Sequence, residues 1–265
     1  MDMLPKFSKG STGDPIKLLL FSSTKVGKTT LASGLPNALI IDTENGSRFV
    51  DGIKFNLLEE SKKQKTPPLK LLRLLAQEIE RQNLEQGKPV YDFIVIDTLT
   101  ALEQMAHTMA TVLYKQTNVG KNFKGEDVVS ALPKGGGYLW LRKAFNTLIS
   151  YFDGLAGKSL ILLGHIKQSS ILKDGKELSA MDLDLTGKIK QIVSADVDAI
   201  GLLRRNKENT NEVIVSFKTN ERDLATGSRL PHLRNKEFVL SEYDEKKNKF
   251  AFHWDEIYKS LKKGK

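Results

Sequence analysis

Four short runs of apolar residues recur along the first 163 positions of the chain. They are Ile16–Phe21, Ala38–Ile41, Phe93–Ile96 and Leu160–Leu163. Because each run is continuous and does not alternate with polar residues, it is typical of a strand buried on both faces of a parallel sheet. The runs therefore predict the central strands of such a sheet.

The segments between these runs place apolar residues at helical spacing. They predict helices at Thr29–Leu35, Leu69–Gln82, Leu99–Tyr114 and Leu139–Tyr151. Strands that alternate with helices indicate a layered α/β fold in which helices flank a mainly parallel sheet.

After Asp198 the pattern changes to shorter strand-like segments separated by polar turns. These segments are Ala199–Leu203, Glu212–Lys218 and Lys249–Trp254. We interpret them as an antiparallel C-terminal extension of the sheet. The predicted organisation is a flexible tail at 1–14, an α/β core at 15–205 and a β-rich extension of the same domain at 206–265.

Two stretches, 115–137 and 167–184, show no clear period. Long loops inside a compact domain are usually functional or mobile. The first of them is basic and rich in glycine. We expect both stretches to be loops that carry part of the function.

The composition excludes several classes of site and partner. The chain has 265 residues, a formal net charge of +9 and no cysteine, which excludes disulfides and thiolate metal sites. A basic surface favours phosphate-rich partners, although the same charge also maintains solubility. No apolar run approaches the roughly 20 residues that cross a bilayer, and the polar start lacks the apolar stretch of a signal peptide. We expect a cytoplasmic protein without a membrane partner.

A phosphate-binding motif connects the first apolar run to the first predicted helix. Its sequence is SSTKVGKTT, and it predicts nucleotide contacts from Ser22, Ser23, Thr24, Lys25, Val26, Gly27, Lys28, Thr29 and Thr30. Backbone N–H groups in such a Walker A loop surround the phosphates at a helix N-terminus, with the lysine on the β- and γ-phosphates and the hydroxyl of Thr29 on Mg²⁺. Ser22 stands where the motif has its first glycine, and the alternative is an ordinary strand-to-helix turn.

Polar residues also follow the other apolar runs. Asp97 ends the third run as in a Walker B strand, which predicts a second magnesium ligand. Glu44 follows the second run and is the candidate general base for hydrolysis. Asp42 is the alternative base, and either acid could instead cap a loop. His165 ends the fourth run and is a candidate sensor of the γ-phosphate, although a lone histidine can also be structural.

These segments together resemble the RecA-like recombinase ATPases. More narrowly, they resemble the phage-encoded AAA/RecA-type group that includes single-strand annealing proteins of the Sak type. The resemblance extends from Ile16 to Arg205 and is carried by SSTKVGKTT, IIDTENG, FIVIDTLTAL, LILLGHI and TGKIKQIVSADVDAIGLL. It implies a RecA-like P-loop NTPase core that uses ATP and Mg²⁺, with Glu44 as the catalytic glutamate and His165 in place of the more familiar glutamine sensor.

The same resemblance implies a DNA surface and an assembly. By position, 115–137 and 167–184 correspond to the two loops that face DNA. The DNA-binding candidates are Lys115, Lys121, Phe123, Lys124 and Lys167. Lys188 and Lys190 resemble lysines that act on the γ-phosphate held by a neighbouring subunit, although a solvated basic turn is the alternative.

The leading functional hypothesis is a DNA-stimulated ATPase that binds single-stranded DNA and promotes annealing or recombination as a filament or ring. A single-stranded DNA-binding protein is a further expected partner, and a phage-infected bacterium the expected setting. One alternative is a helicase loader or another phage ATPase that acts on a protein partner. Another is a nucleotide-binding scaffold with little hydrolysis.

Overall fold

The computed structural model describes residues 13–126, 128–173, 176–219 and 226–262. Within these ranges the strands are β1 (Lys17–Ser22), β2 (Ala38–Asp42), β3 (Ile53–Asn56), β4 (Phe93–Asp97), β5 (Ser159–Lys173), β6 (Lys176–Leu183), β7 (Ala199–Arg205), β8 (Glu212–Ser216), β9 (Gly227–Ser228), β10 (Glu237–Asp244) and β11 (Lys249–Phe252). The α-helices are α1 (Lys28–Ser33), α2 (Leu57–Gln64), α3 (Pro68–Gln86), α4 (Leu99–Lys115), α5 (Gly137–Ser150) and α6 (Lys188–Asp196).

The sheet has the order β11-β10-β8-β7-β1-β5-β4-β2-β3. All pairs from β7 to β3 are parallel, whereas β8, β10 and β11 add antiparallel strands at the other edge. Each of the four apolar runs forms a strand of the parallel part. The predicted architecture is therefore confirmed: an α/β fold with a mainly parallel sheet flanked by helices and with antiparallel C-terminal strands.

Two apolar cores cover the two faces of the sheet. Along β1, Leu19 and Phe21 face the core formed with α3 to α6, while Leu18 and Leu20 face the core formed with α1 and the C-terminal segment. Successive side chains of a strand point to opposite faces, so a strand covered on both sides needs an uninterrupted apolar sequence. This double burial explains the uninterrupted apolar sequence Leu18–Phe21 within β1.

The expected antiparallel character of 199–203 is wrong. Strand β7 lies parallel to β1, with Ala199 opposite Leu18, and the antiparallel part begins only at β8. A parallel pair needs a crossover connection, and α6 lies in the chain before β7. Helix α6 has only nine residues, three of them charged. No helix was predicted for this segment from its sequence.

The stretch at 167–184 is also more regular than expected. It forms most of a long antiparallel pair of β5 with β6, in register from Ile166 opposite Leu183 to Lys173 opposite Lys176. The stretch at 115–137 contains two short 3₁₀ helices, Val129–Ala131 and Pro133–Gly135. Among the described residues, no helix combines the length and the apolar character that a membrane crossing requires.

Candidate functional site

The turn from β1 to α1 lies at the carboxyl end of the parallel strands. Gly27 precedes α1 with φ 110° and ψ 27°, a left-handed conformation that glycine adopts without the steric cost of a side chain. No side chain caps the helix at this residue. The first N–H groups of α1 are therefore directed towards the cleft at this end of the sheet, an arrangement suited to an anion.

The ammonium group of Lys28 is buried beside this turn. Its Nζ lies 3.1 Å from Ser22 Oγ, 3.2 Å from the carbonyl oxygen of Ser23 and 3.3 Å from His165 Nδ1. Burial lowers the pKa of Lys28, while the charges of Asp97 and Glu44 oppose this effect. Ser22, the residue that departs from the motif, thus supplies a hydroxyl to the lysine.

A hydroxyl and a carboxylate meet next to Lys28. Thr29 Oγ1 donates a hydrogen bond of 2.6 Å to Asp97 Oδ2. Burial raises the pKa of Asp97 to about 6, with smaller contributions from Asp42 and Glu44, against the hydrogen bond from Thr29. Thr29 Oγ1 and Asp97 Oδ2 are hard oxygen ligands of the kind that Mg²⁺ prefers. The remaining ligands of a protein-bound Mg²⁺ are normally water molecules and phosphate oxygens. Among the described residues, no group of three or more His, Cys, Asp or Glu side chains is placed to hold a metal ion.

Glu44 is held by two side chains from neighbouring strands. Thr98 Oγ1 donates to its Oε1 at 2.6 Å, and His165 Nε2 lies 3.1 Å from its Oε2. Because an ammonium group has only donors, His165 Nδ1 accepts from Lys28, and Nε2 then carries the proton donated to Glu44. The hydrogen bond from His165 holds the pKa of Glu44 below its usual value, assisted by Thr98 and Lys28 and opposed by burial.

Asp42 organises the loop that carries Glu44. Its carboxylate accepts hydrogen bonds from the backbone N–H groups of Glu44 at 3.0 Å, Gly46 at 3.2 Å and Ser47 at 2.8 Å. These contacts use both carboxylate oxygens. The geometry therefore favours the loop-capping alternative for Asp42 and leaves Glu44 as the candidate base.

The cleft at this end of the sheet has a volume of about 320 Å³. Its walls are formed by Thr24, Lys25, Gly27, Lys28, Thr29, Thr30, Asp42, Glu44, Gly46, Val50, Asp97, Thr98 and His165. Most of the motif residues therefore line one space with the acids of β2 and β4. Ser22 and Ser23 do not line the cleft, but both accept a hydrogen bond from Lys28, which does. Val26 is buried in the core.

Two residues near the cleft were not found from the sequence. The hydroxyl of Thr43 donates to the carbonyl oxygen of Asp97 at 2.9 Å and accepts from the N–H of Thr98 at 2.8 Å, so it joins the ends of β2 and β4. Arg205 Nη2 lies 3.8 Å from the position that a Cβ on Gly27 would occupy. Arg205 is the last residue of β7, and no motif in the sequence marked it as a site residue.

The candidate DNA-binding residues lie away from the cleft. Lys121, Lys124 and Lys167 are exposed, and Lys115 lies in the last turn of α4. The ring of Phe123 packs edge-on against Tyr114, with centroids 5.5 Å apart.

Lys188 and Lys190 lie in the first turn of α6 and do not line the cleft of their own chain. Lys190 forms an ion pair with Asp182, while Lys188 is exposed. Lys188 also lines a separate cavity of about 330 Å³, together with Tyr138 and Arg142.

The sheet order, the phosphate-loop turn and the acids at neighbouring strand ends define a P-loop NTPase fold. The chain belongs to the AAA domain family, whose model matches residues 14–230. It is similar to a solved structure described as "Crystal structure of the RadB recombinase", with 12% identity and a TM-score of 0.41 over 88% of this chain and 90% of that one. No curated protein matches the chain.

Proposed function

We propose that this protein binds ATP with Mg²⁺ in the cleft and hydrolyses it. One observation carries the proposal: the ammonium of Lys28, the Thr29–Asp97 pair and the carboxylate of Glu44 surround the same space of about 320 Å³. A cation, a pair of hard oxygen ligands and a proton acceptor are the parts that phosphoryl transfer to water needs.

The phosphate groups are bound by the turn before α1. Lys28 neutralises the β- and γ-phosphates, and the backbone N–H groups after Gly27 donate to their oxygens. Thr29 and Asp97 hold the magnesium ion, which neutralises phosphate charge when it is bound. Lys28, Thr29 and Asp97 all line the cleft.

Glu44 orients the attacking water and accepts its proton. The hydrogen bonds from Thr98 and His165 fix the carboxylate in one position. They also hold its pKa below the usual value of a glutamate, a residue that is ionised at neutral pH in any case. Losing such a group typically slows a reaction by about 10²–10⁴-fold.

His165 connects the cleft to the β5–β6 pair. Its side chain contacts Lys28 and Glu44, and its carbonyl oxygen accepts from the N–H of Asp184 at 2.9 Å. A γ-phosphate competes with His165 for Lys28, because both are acceptors for the same ammonium. Nucleotide binding therefore changes the contacts of a residue at the base of this strand pair.

We extend the proposal to single-stranded DNA as the partner that this strand pair and the 115–137 segment contact. The support is the net charge of +9 and the exposed Lys121, Lys124 and Lys167. Lysines of this kind contact backbone phosphates, and exposed aromatic rings stack on bases. Tyr138, which is 58% exposed, suits stacking better than Phe123, which packs on Tyr114. Annealing or recombination by an oligomer is the activity that we assign to the complex.

An ATPase assay with and without single-stranded DNA tests this function. We expect magnesium-dependent hydrolysis that DNA increases. Absence of hydrolysis under both conditions contradicts the enzymatic proposal. Hydrolysis without stimulation, together with no DNA binding at low salt, removes the DNA part and favours an ATPase that acts on a protein partner.

A further inference from the structure

A cavity of about 330 Å³ lies between the N-terminal parts of α5 and α6, apart from the triphosphate cleft. The buried side chains of Leu141 and Ile189 line it, together with the cations of Arg142 and Lys188. Neither cation forms an ion pair with a carboxylate of the described residues. The cavity therefore combines apolar walls with positive charge that the described part of the chain does not neutralise.

The loop after β2 carries groups that complement this cavity. Phe49 is 99% exposed at the tip of a turn, which the N–H of Val50 closes by donating to the carbonyl oxygen of Ser47 at 3.1 Å. Asp51 is also exposed, and its carboxylate has no ion-pair partner within the described ranges. One short segment thus presents an apolar ring and a negative charge to solvent.

The turn that carries Phe49 is fixed by hydrogen bonds. Lys54 Nζ donates to the carbonyl oxygens of Ser47 at 2.7 Å and Val50 at 3.0 Å, and the N–H of Ser47 donates to Asp42 at 2.8 Å. The exposure of Phe49 is therefore a property of an ordered turn. A single exposed apolar side chain is common on protein surfaces, so the complementary cavity is the second observation that gives this ring a partner.

The turn and the cavity match in size and in charge. An apolar cavity of about 150 Å³ is enough to hold a benzene molecule, so about 330 Å³ accommodates the ring of Phe49 and part of its turn. Opposite charges across an interface fix its register, and Asp51 is the opposite of Arg142 and Lys188. Because Phe49 is almost fully exposed in its own chain, its ring is free to enter the cavity of another.

We infer that Phe49 of one subunit inserts into the cavity between α5 and α6 of the next, with Asp51 paired to Arg142. The inference rests on the oligomer of the proposed function and names the surfaces that join its subunits. These are different parts of the chain, so the contact is head-to-tail and generates a ring or a filament. Val50, beside Phe49, lines the triphosphate cleft, whereas Lys188 lines the cavity. The contact therefore brings Lys188 of one subunit close to the cleft of its neighbour.

Sedimentation velocity at saturating Mg-ATP measures what the ring contributes to assembly. Phe49→Ala removes the ring, and Leu84→Ala is the matched control, because Leu84 is 78% exposed on α3. We expect Phe49→Ala to weaken assembly by at least about 10-fold, as for an aromatic anchor at the centre of an interface, and the control to assemble like the wild type. Since Phe49 is almost fully exposed, its removal leaves the core intact.

Paired cysteines test the contact itself, because the chain has no cysteine of its own. Asp51→Cys combined with Arg142→Cys keeps Phe49 and replaces the inferred ion pair by two thiols. A disulfide needs Cα atoms within about 7 Å, and a long arginine side chain spans more, so a short bismaleimide joins the thiols. We expect a ladder of covalent oligomers from the double variant and only covalent dimers from a mixture of the two single variants. The control pair, Asp51→Cys with Leu84→Cys, should form neither.

The outcomes separate this contact from the proposed function. Assembly of Phe49→Ala like the wild type, or a cysteine pair that cross-links no more than its control, overturns the contact while ATP hydrolysis stands. A wild-type protein that stays monomeric with Mg-ATP and single-stranded DNA removes the oligomer and the contact together. Loss of DNA binding in Arg142→Ala with unchanged assembly assigns the cavity to DNA and also overturns the inference.

Discussion

At the scale of single residues, the contacts of Lys28 give a reason for the two departures from the motif patterns. Ser22 stands in place of a glycine and His165 in place of a glutamine, and both contact the Lys28 ammonium. The buried lysine therefore has oxygen and nitrogen partners before any phosphate arrives.

Replacing Glu44 separates binding from chemistry. We expect Glu44→Gln to retain ATP binding and to slow hydrolysis by about 10²–10⁴-fold, because the amide can occupy the same position but is a far weaker proton acceptor. Calorimetry and phosphate release measure the two effects. Normal turnover in this variant rejects Glu44 as the base.

Asp42 is expected to behave differently from Glu44. Asp42→Ala removes the acceptor of three backbone N–H groups in the loop after β2. Because the N–H of Ser47 is buried, and a buried donor left without an acceptor costs about 1–3 kcal/mol, we expect a clear fall in the melting temperature, measured by thermal unfolding. A variant as stable as the wild type contradicts the loop-holding role.

The sequence was sufficient to pick out most of the side chains that line the cleft, since they belong to short motifs. Lys28 and Thr29 are adjacent, and Asp97 and Glu44 directly follow apolar runs. A cavity of about 450 Å³ beside α1 was not found in this way. Phe49 and Phe250, which both line it, are separated by two hundred positions, and the docking of the β10–β11 hairpin on α1 brings them to one cavity.

At the scale of elements, the contact between Gly34 and Phe252 sets the position of the β10–β11 hairpin. We expect Gly34→Ala to destabilise the protein by about 1–3 kcal/mol, because the added methyl overlaps the ring of Phe252. Gly46→Ala is the control, since a Cβ there meets nothing within 4 Å. Equal melting temperatures for the two variants contradict the close approach.

The basic segment after α4 has its own test. We expect the double variant Lys121→Ala and Lys124→Ala to weaken binding of single-stranded DNA and to reduce its salt dependence, because fewer counterions are released. Binding measured over a salt series gives the slope. The matched control replaces the exposed Lys62 and Lys70 on α2 and α3. A slope unchanged from the wild type excludes phosphate contact by this segment.

The errors in the predicted elements have a common physical origin. The paired part of β5 and β6, at 166–183, and α6 lie outside the uninterrupted apolar runs, and polar residues interrupt their sequences. Their structure depends on pairing and packing with distant segments rather than on a local apolar period. Without α6, the parallel crossover to β7 could not be recognised, so β7 was placed in the wrong part of the sheet.

At the scale of the whole molecule, the position of Lys188 bears on whether the protein acts as an assembly of several subunits. It is exposed at the start of α6 and does not line the cleft of its own chain, which suits action on a neighbouring subunit. Lys190 suits this role less well, because it is paired with Asp182.

Mixing two inactive variants tests action between subunits. Lys188→Ala lacks the proposed lysine and Glu44→Gln lacks the proposed base. If Lys188 acts on a neighbour, a mixed assembly contains interfaces with both groups intact. We expect DNA-stimulated hydrolysis to recover on mixing, and a mixture as inactive as its components contradicts action in trans.

The central claim is that the turn between β1 and α1 binds a nucleoside triphosphate through Lys28. A calorimetric titration with Mg-ATP, on the wild type and on a folded Lys28→Ala variant, tests it most directly. We predict saturable binding with one site per chain in the wild type and its loss in the variant. Absence of saturable binding to the wild type, or equal affinity in both proteins, contradicts the claim.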